Sequence, residues 1–178
     1  MNTLLVLTGL PGVGKTTLRQ AWINAHPDFQ VVDVFFFVRK YLDNAGRAIV
    51  ENFDIRGYRD MYAHLFSQSG NILLEIGTNF PRLNTRMLKR FQDNGWNVVI
   101  VLCLLDRVEV RRRHSKRGTA DRDIPYREEY YAQRIHRNFP GSYRAMCPPR
   151  GLQTRILDMS CEVEKNVQHL EYALRESQ

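Results

Sequence analysis

The chain is predicted to be an α/β protein built on a five-stranded parallel sheet, and three observations carry the prediction. Short apolar runs alternate with segments of helical period along the whole sequence. The first apolar run, Leu4–Leu7, passes through the glycine-rich turn Gly9–Gly14 directly into an amphipathic segment. The run Trp96–Leu105 is nearly all apolar, as in a strand covered on both faces.

Each element has its own signal. Leu18, Ala21, Trp22 and Ala25 recur at helical spacing, which places a helix over about Lys15–Ala25, ended by His26-Pro27-Asp28. Gln30–Phe37 is β-branched and aromatic and is expected to be the second strand, with Asp33 inside it or at its end. Helical pattern resumes at Val38–Leu42 and breaks at Asp43-Asn44-Ala45-Gly46, while Ala48–Asp54 reads equally as helix or loop. Tyr58–Gln68 is helical, with Met61, Tyr62, Leu65 and Phe66 on one face. Asn71–Ile76 gives a third strand. Pro81 opens a helix that Asp93-Asn94-Gly95 closes with a left-handed cap. Past the fourth strand, Pro125–Phe139 reads as helix and Pro140–Gly151 as loop. Thr154–Met159 is the fifth strand, and Ser160 is expected to cap the last helix, which carries Val163, Val167, Leu170 and Leu174.

Composition narrows the class. The 178 residues suit one domain, 1–178, with ordinary 43% hydrophobic and 25% charged content. No stretch approaches the ~20 apolar residues of a membrane span, and no secretory leader pattern opens the chain. Cys103, Cys147 and Cys161 have neither disulfide nor zinc spacing, so a cytoplasmic location is expected, with no membrane partner. The five histidines have no metal-ligand spacing. Lys plus Arg exceeds Asp plus Glu by 26 to 19, a net charge of +7 that suits an anionic partner such as nucleic acid. Oligomeric state is not legible.

Gly9, Gly14, Lys15 and Thr16 fill the pattern G-x-x-x-x-G-K-[ST] of a phosphate-binding loop. Successive N–H groups in such a loop point at one anion, and the helix behind adds its unpaired N–H groups and dipole. Gly9, Pro11, Gly12, Val13, Gly14, Lys15, Thr16 and Thr17 are therefore expected to line the ATP phosphates, with Lys15 on the β- and γ-phosphates and Thr16 on Mg²⁺. The alternative is a tight turn that binds nothing.

Ligands of such sheets gather at the carboxyl ends of the strands. Asp33 there is a candidate base for an acceptor hydroxyl, or else a surface carboxylate. Glu75, after four residues of the third strand, is a candidate for Mg²⁺ or its waters, or else a structural ion pair. The basic run 111–118 puts Arg113 and Arg117 on one helical face, where guanidiniums closing over a triphosphate would neutralise developing charge. That makes 107–124 a candidate arginine-rich lid, against a plain basic surface. Aromatics from Phe35 to Tyr62 interleave with basic residues, a pattern suited to single-stranded nucleic acid, though most such rings simply pack. Arg39, Arg56 and Arg59 are the acceptor-gripping candidates.

Four stretches together resemble the kinase domain of phage-type polynucleotide kinases, among the small P-loop kinases that include zeta-type toxins. They are Gly9–Thr17, His26-Pro27-Asp28-Phe29, Thr78-Asn79 running on to Asn94-Gly95-Trp96, and above all His114-Ser115-Lys116-Arg117-Gly118-Thr119. The resemblance reaches to about residue 139. It implies a three-layer P-loop NTPase sandwich with strand order 2-3-1-4-5. It also implies Lys15 and Thr16 on phosphates and Mg²⁺, Arg113 and Arg117 as lid arginines, Thr78 near the acceptor, and transfer of the ATP γ-phosphate to a nucleic-acid hydroxyl, DNA being favoured. The chain departs in one place: Phe35, Phe36 and Arg39 stand where those kinases carry an acidic pair and an arginine, and Asp33 sits two positions early. Leu74-Glu75-Ile76-Gly77-Thr78 is closer to zeta-type toxins, kinases of nucleotide sugars. A third relative is the group of phage kinases proposed to act on hydroxymethylated bases within DNA. A nucleotide-gated binding module without an acceptor is the remaining alternative.

Overall fold

In β1 (Thr3–Thr8) every residue is buried, and neighbours in sequence serve opposite sides of the sheet. Leu5 and Leu7 join one apolar layer, Leu4 and Val6 the other. This period-two division sets the architecture. The computed structural model describes residues 2–77, 79–106, 108–110, 112–113 and 152–177.

The order of elements is β1, α1 (Lys15–Ala25), β2 (Phe29–Asp33), α2 (Val34–Arg39), α3 (Phe53–Phe66), β3 (Asn71–Ile76), α4 (Pro81–Asp93), β4 (Asn97–Leu104), β5 (Gln153–Asp158) and α5 (Val163–Arg175). The strands form one sheet in the order β2-β3-β1-β4-β5, as the resemblance implied, and every neighbouring pair is parallel. Leu18 and Trp22 of α1 and Val167 and Leu170 of α5 fill the layer with Leu5, Leu7 and Val101. Tyr58, Met61 and Leu65 of α3 and Leu88 and Phe91 of α4 fill the other, with Val6, Leu74 and Ile100. Helices thus cover both faces, the expected three layers.

The aromatic run departs from its expectation. Phe35–Phe37 is helical, because the chain leaves β2 at Asp33 and turns at once into α2. Asp33 caps that helix, its Oδ1 accepting the Phe35 N–H at 2.9 Å. Packing overrides the β-propensity of the run: Phe37 is buried in the α3–α4 layer, and α2 lies directly on Gly57 of α3. A Cβ at Gly57 would fall 2.6 Å from Val38 Cγ2, so the two helices approach this closely only because that residue is glycine.

Two further boundaries move. The segment before α3 is loop up to Asn52, and α3 starts five residues earlier than its apolar face announces, at Phe53. The residue before α5 is Glu162, not Ser160, and it makes no side-chain cap bond; the Ser160 N–H instead donates to Asp158 Oδ1. Gly95 closes α4 with φ +79°, the left-handed cap expected there. The helix expected at 125–139 and the loop at 140–151 lie outside the described residues.

Candidate active site

The loop between β1 and α1 is held against β4 from below. Gly9 has φ +149°, and a Cβ there would fall 2.5 Å from the Cys103 carbonyl oxygen, so only glycine fits. Cys103 itself is buried, and burial pushes its thiol up to about 12, which keeps it an inert packing residue under the loop. At the other end Gly14, left-handed at φ +107°, feeds the chain into α1. Lys15 is 8% exposed and turns back into the loop, its Nζ donating to the carbonyls of Gly9 and Leu10, both at 3.0 Å. The eight residues expected to line phosphates, 9 and 11–17, therefore all fall in this turn and the first turn of α1. A cavity of about 200 Å³ opens between Gly12, Lys15 and Thr16 on one side and Asp33, Glu75 and Gly77 on the other.

The two candidate carboxylates prove to be neighbours. Asp33 and Glu75 are register partners at the carboxyl ends of β2 and β3. Arg19 joins them: its Nη1 lies 2.8 Å from Asp33 Oδ2 and 2.9 Å from Glu75 Oε2. The Thr16 hydroxyl donates to the other Glu75 oxygen, Oε1, at 3.0 Å. A continuous polar chain therefore runs from the phosphate loop to Asp33, through Thr16, Glu75 and Arg19. Like charges side by side on adjacent strands repel, and the shared guanidinium offsets that repulsion. Sequence reasoning missed Arg19. Its spacing of three from Thr16 puts both on one side of α1, but nothing local says that this side faces Asp33.

The site fits a divalent cation on its own geometry. Glu75 Oε2 is buried and accepts no well-aligned hydrogen bond, although Arg19 is its ionic neighbour. Its oxygens and the Thr16 hydroxyl are hard donors of the kind Mg²⁺ takes.

Beyond β4, residues 108–110 and 112–113 are helical. Asp106 starts this turn by accepting the N–H groups of Val108 and Glu109 at 2.8 and 3.3 Å. Arg113 reaches the phosphate loop, Nη1 donating to the Val13 carbonyl at 3.1 Å, and Nε donates to Glu109 Oε1 at 2.9 Å. Arg112 grips the same carboxylate, and the two guanidiniums, Arg112 foremost, hold the Glu109 carboxyl down at about 2. The clamp fixes Arg113 beside the loop. Arg117 and the rest of the expected lid, like Thr78, lie outside the described residues.

The acceptor-side arginines do not converge on the loop cavity. Arg56 and Arg59 line a separate cleft of about 630 Å³ with Tyr41 and Asp60. There the Tyr41 hydroxyl donates to Asp60 at 2.7 Å, a bond that raises the phenol above its ordinary value. Arg39 is exposed on α2 and lines neither space. The aromatic–basic surface splits in the same way. Phe37, Tyr58 and Tyr62 are buried, whereas Phe35 and Phe36 are exposed. Phe36 borders a groove of about 590 Å³ with Val31, Asp33, Lys40 and His64, so Asp33 stands between that groove and the loop cavity.

The glycine loop, its buried lysine, the carboxylates at the strand ends and the 2-3-1-4-5 parallel sheet define a nucleotide-binding P-loop protein with the fold of small kinases. Residues 4–140 match the family described as AAA domain (AAA_33), and the chain belongs to that family. Among solved structures, a putative kinase from Chloroflexus aurantiacus superposes with a TM-score of 0.70 at 17% identity, over 97% of this chain and 98% of that one. Shikimate kinase from Bacteroides thetaiotaomicron gives 0.66 at 16%, over 98% and 99%. A sugar kinase from Janibacter gives 0.65 at 14%, over 98% and 95%. Identities this low make each a likeness of fold. No curated protein matches the chain in sequence. Among the described residues, no helix is long and apolar enough to cross a membrane.

Proposed function

We propose that the protein is an ATP- and Mg²⁺-dependent kinase that transfers the γ-phosphate to a hydroxyl of a polynucleotide, at a 5′ end or on a hydroxymethylated base in DNA. The observation that carries the kinase reading is the polar chain Thr16–Glu75–Arg19–Asp33, which ties the phosphate loop to a carboxylate at the mouth of an acceptor-sized groove.

In this reading the loop N–H groups and Lys15 bind the phosphates, and Arg113, fixed beside Val13, adds positive charge as the phosphoryl moves. Thr16 and Glu75 would hold Mg²⁺, which would supply neutralisation of the charge on the phosphates. Asp33 orients the acceptor hydroxyl and takes its proton as the new O–P bond forms and the bridging O–P bond of ATP breaks, releasing ADP. Arg19 on Oδ2 and the Phe35 N–H on Oδ1 fix the direction in which Asp33 points. The basic balance of the chain supports a polyanionic acceptor. A small-molecule acceptor, such as a nucleotide sugar, is the second reading, and the fold shared with shikimate and sugar kinases favours it.

The deciding experiment supplies γ-labelled ATP and Mg²⁺ with a panel of acceptors: 5′-hydroxyl DNA and RNA oligomers, the same oligomers with blocked ends, hydroxymethyl-base DNA, and nucleotide sugars. Label on 5′ ends supports an end kinase, and label on blocked hydroxymethyl DNA an internal-base kinase. Label on the sugars alone replaces the polynucleotide by a small molecule. ATP consumption without any labelled acceptor overturns the kinase reading.

A further inference from the structure

Helix α4 turns Leu83, Met87, Leu88 and Phe91 toward the sheet layer and leaves Arg82, Arg86, Lys89 and Arg90 exposed on the outside. Those four stand at i, i+4, i+7 and i+8, so they share one helical face. At 1.5 Å per residue the row is about 12 Å long. It starts at the catalytic edge, where α4 follows the end of β3, and leads away from the loop cavity.

Some arginines elsewhere are paired with carboxylates, as in Arg47–Asp43, Arg112–Glu109 and Arg155–Glu176, while Arg39, Arg56, Arg59 and Arg175 are exposed without an ion pair among the described residues. What sets α4 apart is that four such cations fall on one face. Among the described residues no carboxylate pairs with any of the four cations of α4, whose single acid is Asp93 at the far end. Arg90 lies instead 4.8 Å over the ring of Phe66, and that ring is itself stacked on Phe91 with centroids 4.2 Å apart. Like charges at helical spacing repel, and an anion that meets this face relieves that repulsion.

We propose that this face of α4 is a docking track for single-stranded nucleic acid. A row of cations that ends in a guanidinium backed by an aromatic ring matches a strand that offers regular phosphates and bases that stack on guanidinium planes. A lipid surface would need apolar side chains beside the cations, and a protein partner would need an apolar centre. None of the large apolar residues of α4 is among the exposed ones, and the neighbouring Phe66 ring is already taken up by Arg90 and Phe91. The track extends the acceptor reading above and rests on it for its biological use, but its chemistry is independent of the catalytic groups.

The test measures anisotropy of a labelled oligothymidylate of about 20 nucleotides with the full chain, wild type and R86E/K89E, between about 50 and 200 mM salt. Expected is at least a tenfold rise in Kd for the variant and a salt slope shallower by about 1.4, at about 0.7 per phosphate lost in a single strand. Circular dichroism and melting temperature check that the variant is folded. Equal affinity and equal slope in the two proteins overturn the track, as does binding of phosphatidylserine vesicles or polyglutamate in place of the oligonucleotide. Phosphate transfer to the acceptor panel separates this inference from the previous one. If wild type labels only nucleotide sugars while R86E/K89E loses oligothymidylate, the polynucleotide reading fails and the track stands. If oligonucleotides are labelled and R86E/K89E binds like wild type, the track fails and the acceptor reading stands.

Discussion

Lys15 meets its two carbonyl partners five and six residues back along its own loop, whereas Asp33 meets Arg19 across 14 residues and Thr16 meets Glu75 across 59. The lysine end of the donor half is thus a local object, since Lys15 is held by carbonyls of its own loop. The acceptor half is assembled: β2 and β3 must pair in one register before Asp33 and Glu75 stand together, and α1 must lie across them before Arg19 reaches both. A local site tolerates drift of its surroundings, while an assembled one depends on every element that positions it.

The contrast is broken or sharpened by substitutions in each half. Lys15→Ala has the largest expected effect, a loss of about 10²- to 10³-fold or more in kcat with melting temperature nearly unchanged. Full transfer in that variant would remove the loop from catalysis. Asp33→Asn is expected to lower kcat by about 10²-fold or more while the KM for ATP stays near wild type. An unchanged kcat would strip Asp33 of its role as base. Arg19→Ala should come next, about 10- to 100-fold, because it releases a second-layer partner of both carboxylates. If the assembled half behaves as described, this loss appears both as weaker Mg²⁺ dependence and as lower kcat. A change in one alone would mean that Arg19 serves only one carboxylate.

The smallest effect is one of pH on the clamp that fixes Arg113. Glu109 ordinarily titrates at 4.5 and is held at about 2 in the fold by Arg112 and Arg113. A depressed carboxyl contributes stability that is complete above 4.5 and is lost as the pH falls toward about 2. Melting curves of wild type and E109Q should therefore differ by a constant amount above about pH 5 and converge on approaching pH 2. Curves that stay parallel throughout would show that the clamp does not hold Arg113.

Much of this was readable in the linear chain. The apolar run Leu4–Leu7 and helical spacing in α1, α4 and α5 are local patterns with local causes, and the phosphate loop is written in seven consecutive residues from Gly9 to Lys15. What misled was a conflict between local and tertiary preference. Phe35–Phe37 has the composition of a strand, yet an Asp33 cap and the close seat of α2 on Gly57 make it helical. That shift also sends the aromatic–basic surface to several places, with Arg56 and Arg59 at one cleft, Phe36 at another and Arg39 at neither.

By itself, then, the sequence determined a parallel α/β sheet, the phosphate loop and the identity of the two strand-end carboxylates, because each depends on neighbours in the chain. Only the tertiary structure decided that Asp33 and Glu75 share one guanidinium, that Arg113 rests on Val13 a hundred residues away, and that among the described residues no carboxylate pairs with the outer cations of α4. Those facts depend on register, on helix seating and on which faces turn outward. Such quantities arise when the hydrophobic layers close, and no local pattern encodes them.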